Sequence, residues 1–177
     1  MGQQKTVWEN PAEVIRHLAP EHPVMVFAPT VLQDRARQFI DGFPGLVTYA
    51  VKSNPDEAVI QNLVAAGIRG FDVASPFEID LIGRMAPHAA RHYHNPVRAR
   101  SEIAHGVSQN IRAWSVDSRS ELDKLFDQVP TQVDGKGVEI SPRFKLPVLG
   151  AAYDFGSKFG ASPELAAELL AEVARHG

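Results

Sequence analysis

The sequence predicts an α/β protein built on a parallel sheet, and three observations carry that prediction. Short β-branched or aromatic runs alternate with runs whose apolar residues recur at helical spacing. Polar residues that cap helices stand before several of the helical runs, as Asn10 does before Pro11 and Asp56 before Glu57. The most regular strand pattern, Leu46-Val47-Thr48-Tyr49-Ala50-Val51, stops on Lys52 and is followed by Ser53-Asn54-Pro55, which breaks it.

In order, Pro11 to Leu18 reads as a short helix and Val24 to Ala28 as a strand. Val31 to Phe39 reads as a helix with Val31, Ala36, Phe39 and Ile40 on one face. After the lysine strand, Val59, Ile60, Leu63 and Val64 mark a helix that ends at Gly67. Strand Gly70 to Val73 follows, then a helix from Pro76 to Met85 buried through Phe77, Leu81 and Ile82, and strand His92 to His94. A helix from Ala99, strand Arg112 to Val116, a helix from Ser118 and strand Val138 to Ile140 continue the alternation. Pro163 to Ala174 closes it as a helix with Leu165, Leu169, Leu170 and Val173 in one core-facing stripe. Pro130 to Gly137 and Pro147 to Gly156 are loops, and Asp134-Gly135-Lys136-Gly137 reads as a turn rather than a phosphate loop.

Composition narrows the function. The 18 basic and 21 acidic residues leave a net charge of −3, and Arg91, Arg98, Arg100 and Arg112 are scattered as on a solvated face, so nucleic acid is not an expected partner. With no cysteine, disulfides, thiolate metal sites and a cysteine nucleophile are excluded. No apolar run has the length of a signal core or of a membrane span, which makes the cytoplasm the expected compartment. His92 and His94 share one face of a strand, but two ligands do not make a zinc site, and no metal is expected. A packed, hydrogen-bonded histidine is the expectation for His94.

Lys52 is the first candidate catalytic residue. It sits at the carboxyl end of a strand, where barrel enzymes place their chemistry, and an amine held against apolar walls is suited to Schiff-base formation with an aldehyde. An ordinary solvated lysine at a strand end is the alternative from position alone.

Five ordered blocks add a resemblance. They are Tyr49-Ala50-Val51-Lys52-Ser53-Asn54, Gly70-Phe71-Asp72-Val73-Ala74-Ser75 with Glu78, Asn95-Pro96 with Ser101-Glu102-Ile103, Ser115-Val116-Asp117-Ser118 with Glu121-Leu122, and Ser157-Lys158-Phe159-Gly160-Ala161. Together they resemble the ornithine/lysine/diaminopimelate decarboxylase family, the fold type III pyridoxal-phosphate enzymes with an alanine racemase-like barrel, and most closely its ornithine decarboxylase branch.

The resemblance implies a β/α barrel of TIM type, here incomplete. A full barrel typically needs ~250 residues, so this chain of 177 would supply about five of eight strands as the N-terminal part of the barrel, with the remaining strands and the β-domain outside it. The strand Val24 to Ala28 would belong to that β-domain. An open five-strand sheet has two unpaired edges, so this piece alone is expected to be marginal or to pair with another chain.

The resemblance also implies the chemistry. Lys52 would hold pyridoxal 5'-phosphate covalently, and the reaction would be decarboxylation of ornithine or lysine to a diamine in polyamine biosynthesis. Ala50, Asp72, Glu78 and Arg143 would join Lys52 around the cofactor. For Asp72 the competing reading is a turn aspartate, and for Glu78 a capping box with Ser75. Pro142 before Arg143 departs from the family pattern and puts that arginine's aim in question. Lys158 would sit at the interface of a homodimer, a surface lysine being the alternative. His94 stands where many relatives carry a small residue, so it would narrow the interior or touch substrate. The glycine-rich phosphate loop and the acid for the pyridine nitrogen would come from outside this chain, which alone is expected to be inactive. The alternatives are a non-catalytic paralogue or fragment that binds a full-length subunit, and another pyridoxal barrel such as a racemase or diaminopimelate decarboxylase.

Overall fold

The computed structural model describes residues 6–146 and 158–176. Five strands form one parallel sheet: β1 (Thr48–Ala50), β2 (Gly70–Val73), β3 (Ala90–Tyr93), β4 (Ala113–Val116) and, after a small hairpin of β5 (Gln132–Val133) and β6 (Lys136–Gly137), β7 (Glu139–Pro142). Their spatial order is β1-β2-β3-β4-β7, so each strand lies beside the previous one of the sheet, as in a barrel wall. The hairpin turn has Asp134 and Gly135 at φ 51° and 70°, the positive angles that a tight two-residue loop requires, and the sequence reading of a turn there holds.

The helices are α1 (Pro11–Leu18), α2 (Pro29–Gly42), α3 (Glu57–Ala66), α4 (Pro76–Met85), α5 (Arg100–Ser108), α6 (Arg119–Gln128) and α7 (Pro163–His176). Their starts follow the capping chemistry in the sequence: Asn10, Asp56, Ser75 and Ser118 each accept a backbone N–H of the first turn. Gly67, at φ 106°, ends α3 in the left-handed region.

Alternation along the strands divides the sheet into two faces. Phe71, Val73, Tyr93, Trp114 and Val116 point to the helices and are buried with Ile60, Leu63, Ile79, Ile82, Ile103, Leu122, Leu125 and Leu169. The other face carries the row Ala50, Asp72, His92, Ala113 and Glu139, paired strand to strand in register. Ser115 and Ser141 pair one step further on, toward the carboxyl end. The core is thus on one side of the sheet and the polar chemistry on the other.

Several sequence expectations are corrected. Val24 to Ala28 forms no strand: it lacks a paired neighbour among the described residues and leaves Met25 96% exposed, since a β-prone sequence needs a partner to become a strand. On α2 Ala36 and Ile40 pack as expected, joined by Leu32, while Val31 and Phe39 are exposed. In α4 burial falls on Ile79, Leu81 and Ile82, while Phe77 in the first turn is exposed. Leu170 likewise leaves the stripe that Leu165, Leu169 and Val173 form on α7. The expected loop from Pro147 to Gly156 lies outside the described residues.

Arg98 is the largest correction. Instead of a solvated face it is 2% exposed, donating to the carbonyls of Tyr93 at 3.2 Å and Ser115 at 2.6 Å, with Glu121 at 3.8 Å. Lys124 donates to both the Glu121 carboxylate and the Arg98 carbonyl. One guanidinium thus fastens the ends of β3 and β4 to α6. Burial lowers its pKa, and Glu121 opposes that shift.

Gly106 explains how closely α5 approaches the sheet. A Cβ there would meet the Trp114 ring at 2.6 Å. Overpacking against the Trp114 ring at Gly106→Ala is expected to cost about 2–3 kcal/mol, the upper part of the usual range, against roughly 1 kcal/mol gained in helix propensity, a net loss of about 1–2 kcal/mol. Urea unfolding checks this, and an unchanged or raised stability would contradict the close approach.

Candidate active site

Lys52 lies in a 3₁₀ turn, Val51–Ser53, entered directly from β1. The turn is pinned from both sides. Val51 is wholly buried, Asn54 N donates back to the Val51 carbonyl at 3.1 Å, and the Tyr49 hydroxyl donates to the Asn54 carbonyl at 3.2 Å. Partial burial raises the Tyr49 pKa, so its hydroxyl stays a donor. Lys52 is exposed rather than enclosed by the described residues, and lines a cleft of about 640 Å³.

The same cleft is lined by Ala50, Asp72, Ala74, His94, Asn95, Ser115, Ser141, Arg143, Lys158 and Phe159, among others. Asp72 reaches it because β1 and β2 pair with Ala50 opposite Asp72. Glu78 does not line it. Ser75 Oγ accepts from Glu78 N, as in the first half of a capping box, but the Glu78 carboxylate accepts from Ala74 N at 2.8 Å and not from the Ser75 N–H that a capping box would use. Glu78 therefore braces Ala74, which does face the cleft, and Asn95 Nδ2 holds the Ala74 carbonyl at 3.3 Å.

Pro142 does not misdirect Arg143. Glu139 N and Arg143 N donate to the β4-side carbonyls of Arg112 and Val116 at 2.7 Å each, so amides of that parity face β4. Pro142, of the other parity, lacks its N–H on the outer edge and removes no bond to β4. Arg143 enters the cleft with its guanidinium carbon 5.3 Å from the Phe159 ring centre, and Lys158 Nζ lies 5.1 Å from the same centre. Gly160 N donates to Asp117 at 3.0 Å, and Ala161 N to the Arg143 carbonyl at 2.9 Å, which fixes Lys158 and Phe159 beside β7.

Lys52, Arg143 and Lys158 face a single carboxylate, Asp72, among the described lining residues, a balance that suits anionic groups. Two buried polar atoms of lining residues, Asp72 Oδ1 and Ser115 Oγ, have no hydrogen bond of good geometry, although Asp72 Oδ1 lies 3.0 Å from His94 Nδ1. His92 also approaches Asp72, at 4.0 Å, and burial first, then the charge of His94, lowers the His92 pKa.

Residues 30–177 match the family model described as pyridoxal-dependent decarboxylase, pyridoxal binding domain. The chain belongs to this family. The pyridoxal-binding domain is 31% identical over 125 residues to the lysine/ornithine decarboxylase of Selenomonas ruminantium, covering 70% of this chain and 30% of that protein. It is 35% identical over 127 residues to the ornithine decarboxylase of Caenorhabditis elegans, covering 71% and 28%. The solved lysine decarboxylase from Selenomonas ruminantium superposes with a TM-score of 0.77 at 25% identity, over 98% of this chain and 44% of that one. The pyridoxal-binding domain thus spans less than half the length of the relatives it matches. The fold is part of an alanine racemase-like β/α barrel, as the sequence implied.

Of the sequence-derived candidates, Lys52, Ala50, Asp72, Arg143 and Lys158 converge on the cleft and Glu78 does not. Ser141 was missed. Its signal is the alternation of β7, which turns Ser141 to the face of Ser115, its partner in register.

Proposed function

We propose that this domain holds pyridoxal 5'-phosphate for the decarboxylation of a basic amino acid of the lysine or ornithine class. The observation that carries the reading is the convergence of Lys52, Asp72 and Arg143 on one cleft at the carboxyl ends of parallel strands. The donor set fits the cofactor: a primary amine to attach it, a carboxylate and a serine hydroxyl with unused hydrogen-bonding capacity, and two further cations for anionic groups. When bound, the cofactor supplies the electron sink that lets carbon dioxide leave an amino acid.

The chain's own residues would do the rest. Lys52 Nζ is the nucleophile that attaches the cofactor, and its placement on a pinned turn restricts where that bond forms. Asp72 and Ala50, adjacent in register, form the wall beside it, and Glu78 holds that wall by fixing Ala74. Arg143 and Lys158 place positive potential where a phosphate or a substrate carboxylate would lie.

The product class is a diamine, which puts the reaction in polyamine formation, and the proposed setting is a cytoplasmic homodimer with Lys158 at the interface. β1 and β7 are the outermost strands of the described sheet, which supports a reading in which residues beyond it complete the cleft and turnover requires them.

Addition of pyridoxal phosphate should produce a new absorption band that lysine or ornithine reverses and glutamate does not. Equal reversal by glutamate would overturn the basic-substrate reading. Absence of any band would overturn cofactor binding by this domain.

A further inference from the structure

Parallel pairing puts Asp72 directly opposite His92, and His94 follows immediately after the end of β3, its N–H donating to the Val73 carbonyl at 3.2 Å. The three side chains offer one ligand atom each, all within 4.8 Å of one another. Asp72 Oδ1 lies 3.0 Å from His94 Nδ1 and 4.0 Å from His92 Nδ1, and the imidazole ring centres are 5.3 Å apart. In a tetrahedral zinc site, bonds of about 2.0–2.2 Å separate neighbouring ligand atoms by roughly 3.5 Å. The two distances from Asp72 bracket that value and the separation of the two imidazole ligand atoms is no more than 4.8 Å, so side-chain rotations would bring all three onto one ion.

We propose that Asp72, His92 and His94 form a binding site for a divalent transition-metal ion of the zinc class. Two imidazoles and a carboxylate are borderline ligands that suit zinc, cobalt, nickel or copper and discriminate against calcium and magnesium, which prefer all-oxygen shells. Asp72 Oδ1 is a buried acceptor without a well-formed hydrogen bond, so a cation there would satisfy it. Three protein ligands leave one position of a tetrahedral ion for water or for a molecule in the cleft, as in catalytic rather than closed structural sites. The site shares Asp72 and His94 with the cleft read above as the cofactor site, but its test is run without pyridoxal phosphate and does not involve Lys52, so the two readings fail separately.

The test is titration of the tag-free, chelator-treated chain with Co2+, without pyridoxal phosphate, followed by zinc competition against a chromogenic chelator. The expected result is one ion per chain, with the intense visible bands of four-coordinate cobalt, displaced by zinc. His92→Gln and His94→Gln, both at partly exposed positions, should each weaken zinc by more than about tenfold, a loss of the size expected when a ligand set is disturbed. Far-UV circular dichroism checks that both variants stay folded. His105→Gln is the control, because among the described residues His105 pairs with one carboxylate, Asp80 at 2.8 Å, and belongs to no three-ligand group, so it should leave affinity unchanged. Absence of stoichiometric cobalt bands in the unaltered chain, or affinity that survives both substitutions, would overturn the proposal. If the variants unfold, the cobalt spectrum of the unaltered chain still decides: octahedral, weak bands would count against it.

Discussion

Arg98→Leu is expected to lower stability by about 3–5 kcal/mol, the range for breaking one side of a buried ion pair. The substitution leaves the Tyr93 and Ser115 carbonyls without their guanidinium donors and Glu121, 5% exposed, without its arginine. Lys124 still reaches Glu121 and limits the loss. Arg98 also lies over two rings, 5.3 Å from the centre of Tyr93 and 5.5 Å from that of Trp114, so its removal loosens two of the largest core side chains. Urea unfolding measures the effect. Adding Glu121→Leu should restore part of it, since an apolar pair avoids the isolated buried carboxylate. A single variant within about 0.5 kcal/mol of the parent, the usual range for surface changes, would mean that Arg98 is not the tie between the strands and α6.

Lys52→Ala is expected to remove borohydride-stable attachment of pyridoxal phosphate while leaving the fold intact. Lys52 is exposed and the turn that carries it is held by Val51, Asn54 and Tyr49, none of which depends on the lysine side chain. The loss should therefore be chemical and not structural, with a stability change within about 0.5 kcal/mol. Lys52→Arg is the sharper comparison. It keeps the positive charge but offers a guanidinium that does not form the imine link, so it too should fail to attach the cofactor. Attachment retained at the parent's level in either variant would remove Lys52 from its proposed role.

Most of the fold was legible in the sequence because its local signals are strong and agree with one another. Asn10, Asp56, Ser75 and Ser118 cap helices where the sequence places them, and each described strand of the sheet overlaps a β-prone run. Val24 to Ala28 failed because pairing is a long-range property that five apolar residues cannot announce. Arg98 was misread because its partners, the Tyr93 and Ser115 carbonyls and Glu121, lie up to 23 positions away along the chain and meet it only when β4 and α6 pack. At the site, Lys52, Asp72 and Arg143 were legible from strand ends and from the resemblance. The proximity of Asp72 to His92 was not, since it depends on the register of β2 against β3. Pro142 looked like an obstacle to Arg143 only while the parity of β7 was unknown.

The most direct test of the pyridoxal assignment is mass-spectrometric mapping of the unaltered chain after incubation with pyridoxal phosphate and borohydride reduction. One pyridoxyl group per chain, on the peptide that contains Lys52, is the expected result. A label spread over Lys136, Lys145 and Lys158, with Lys52 modified no more than they are, would contradict it.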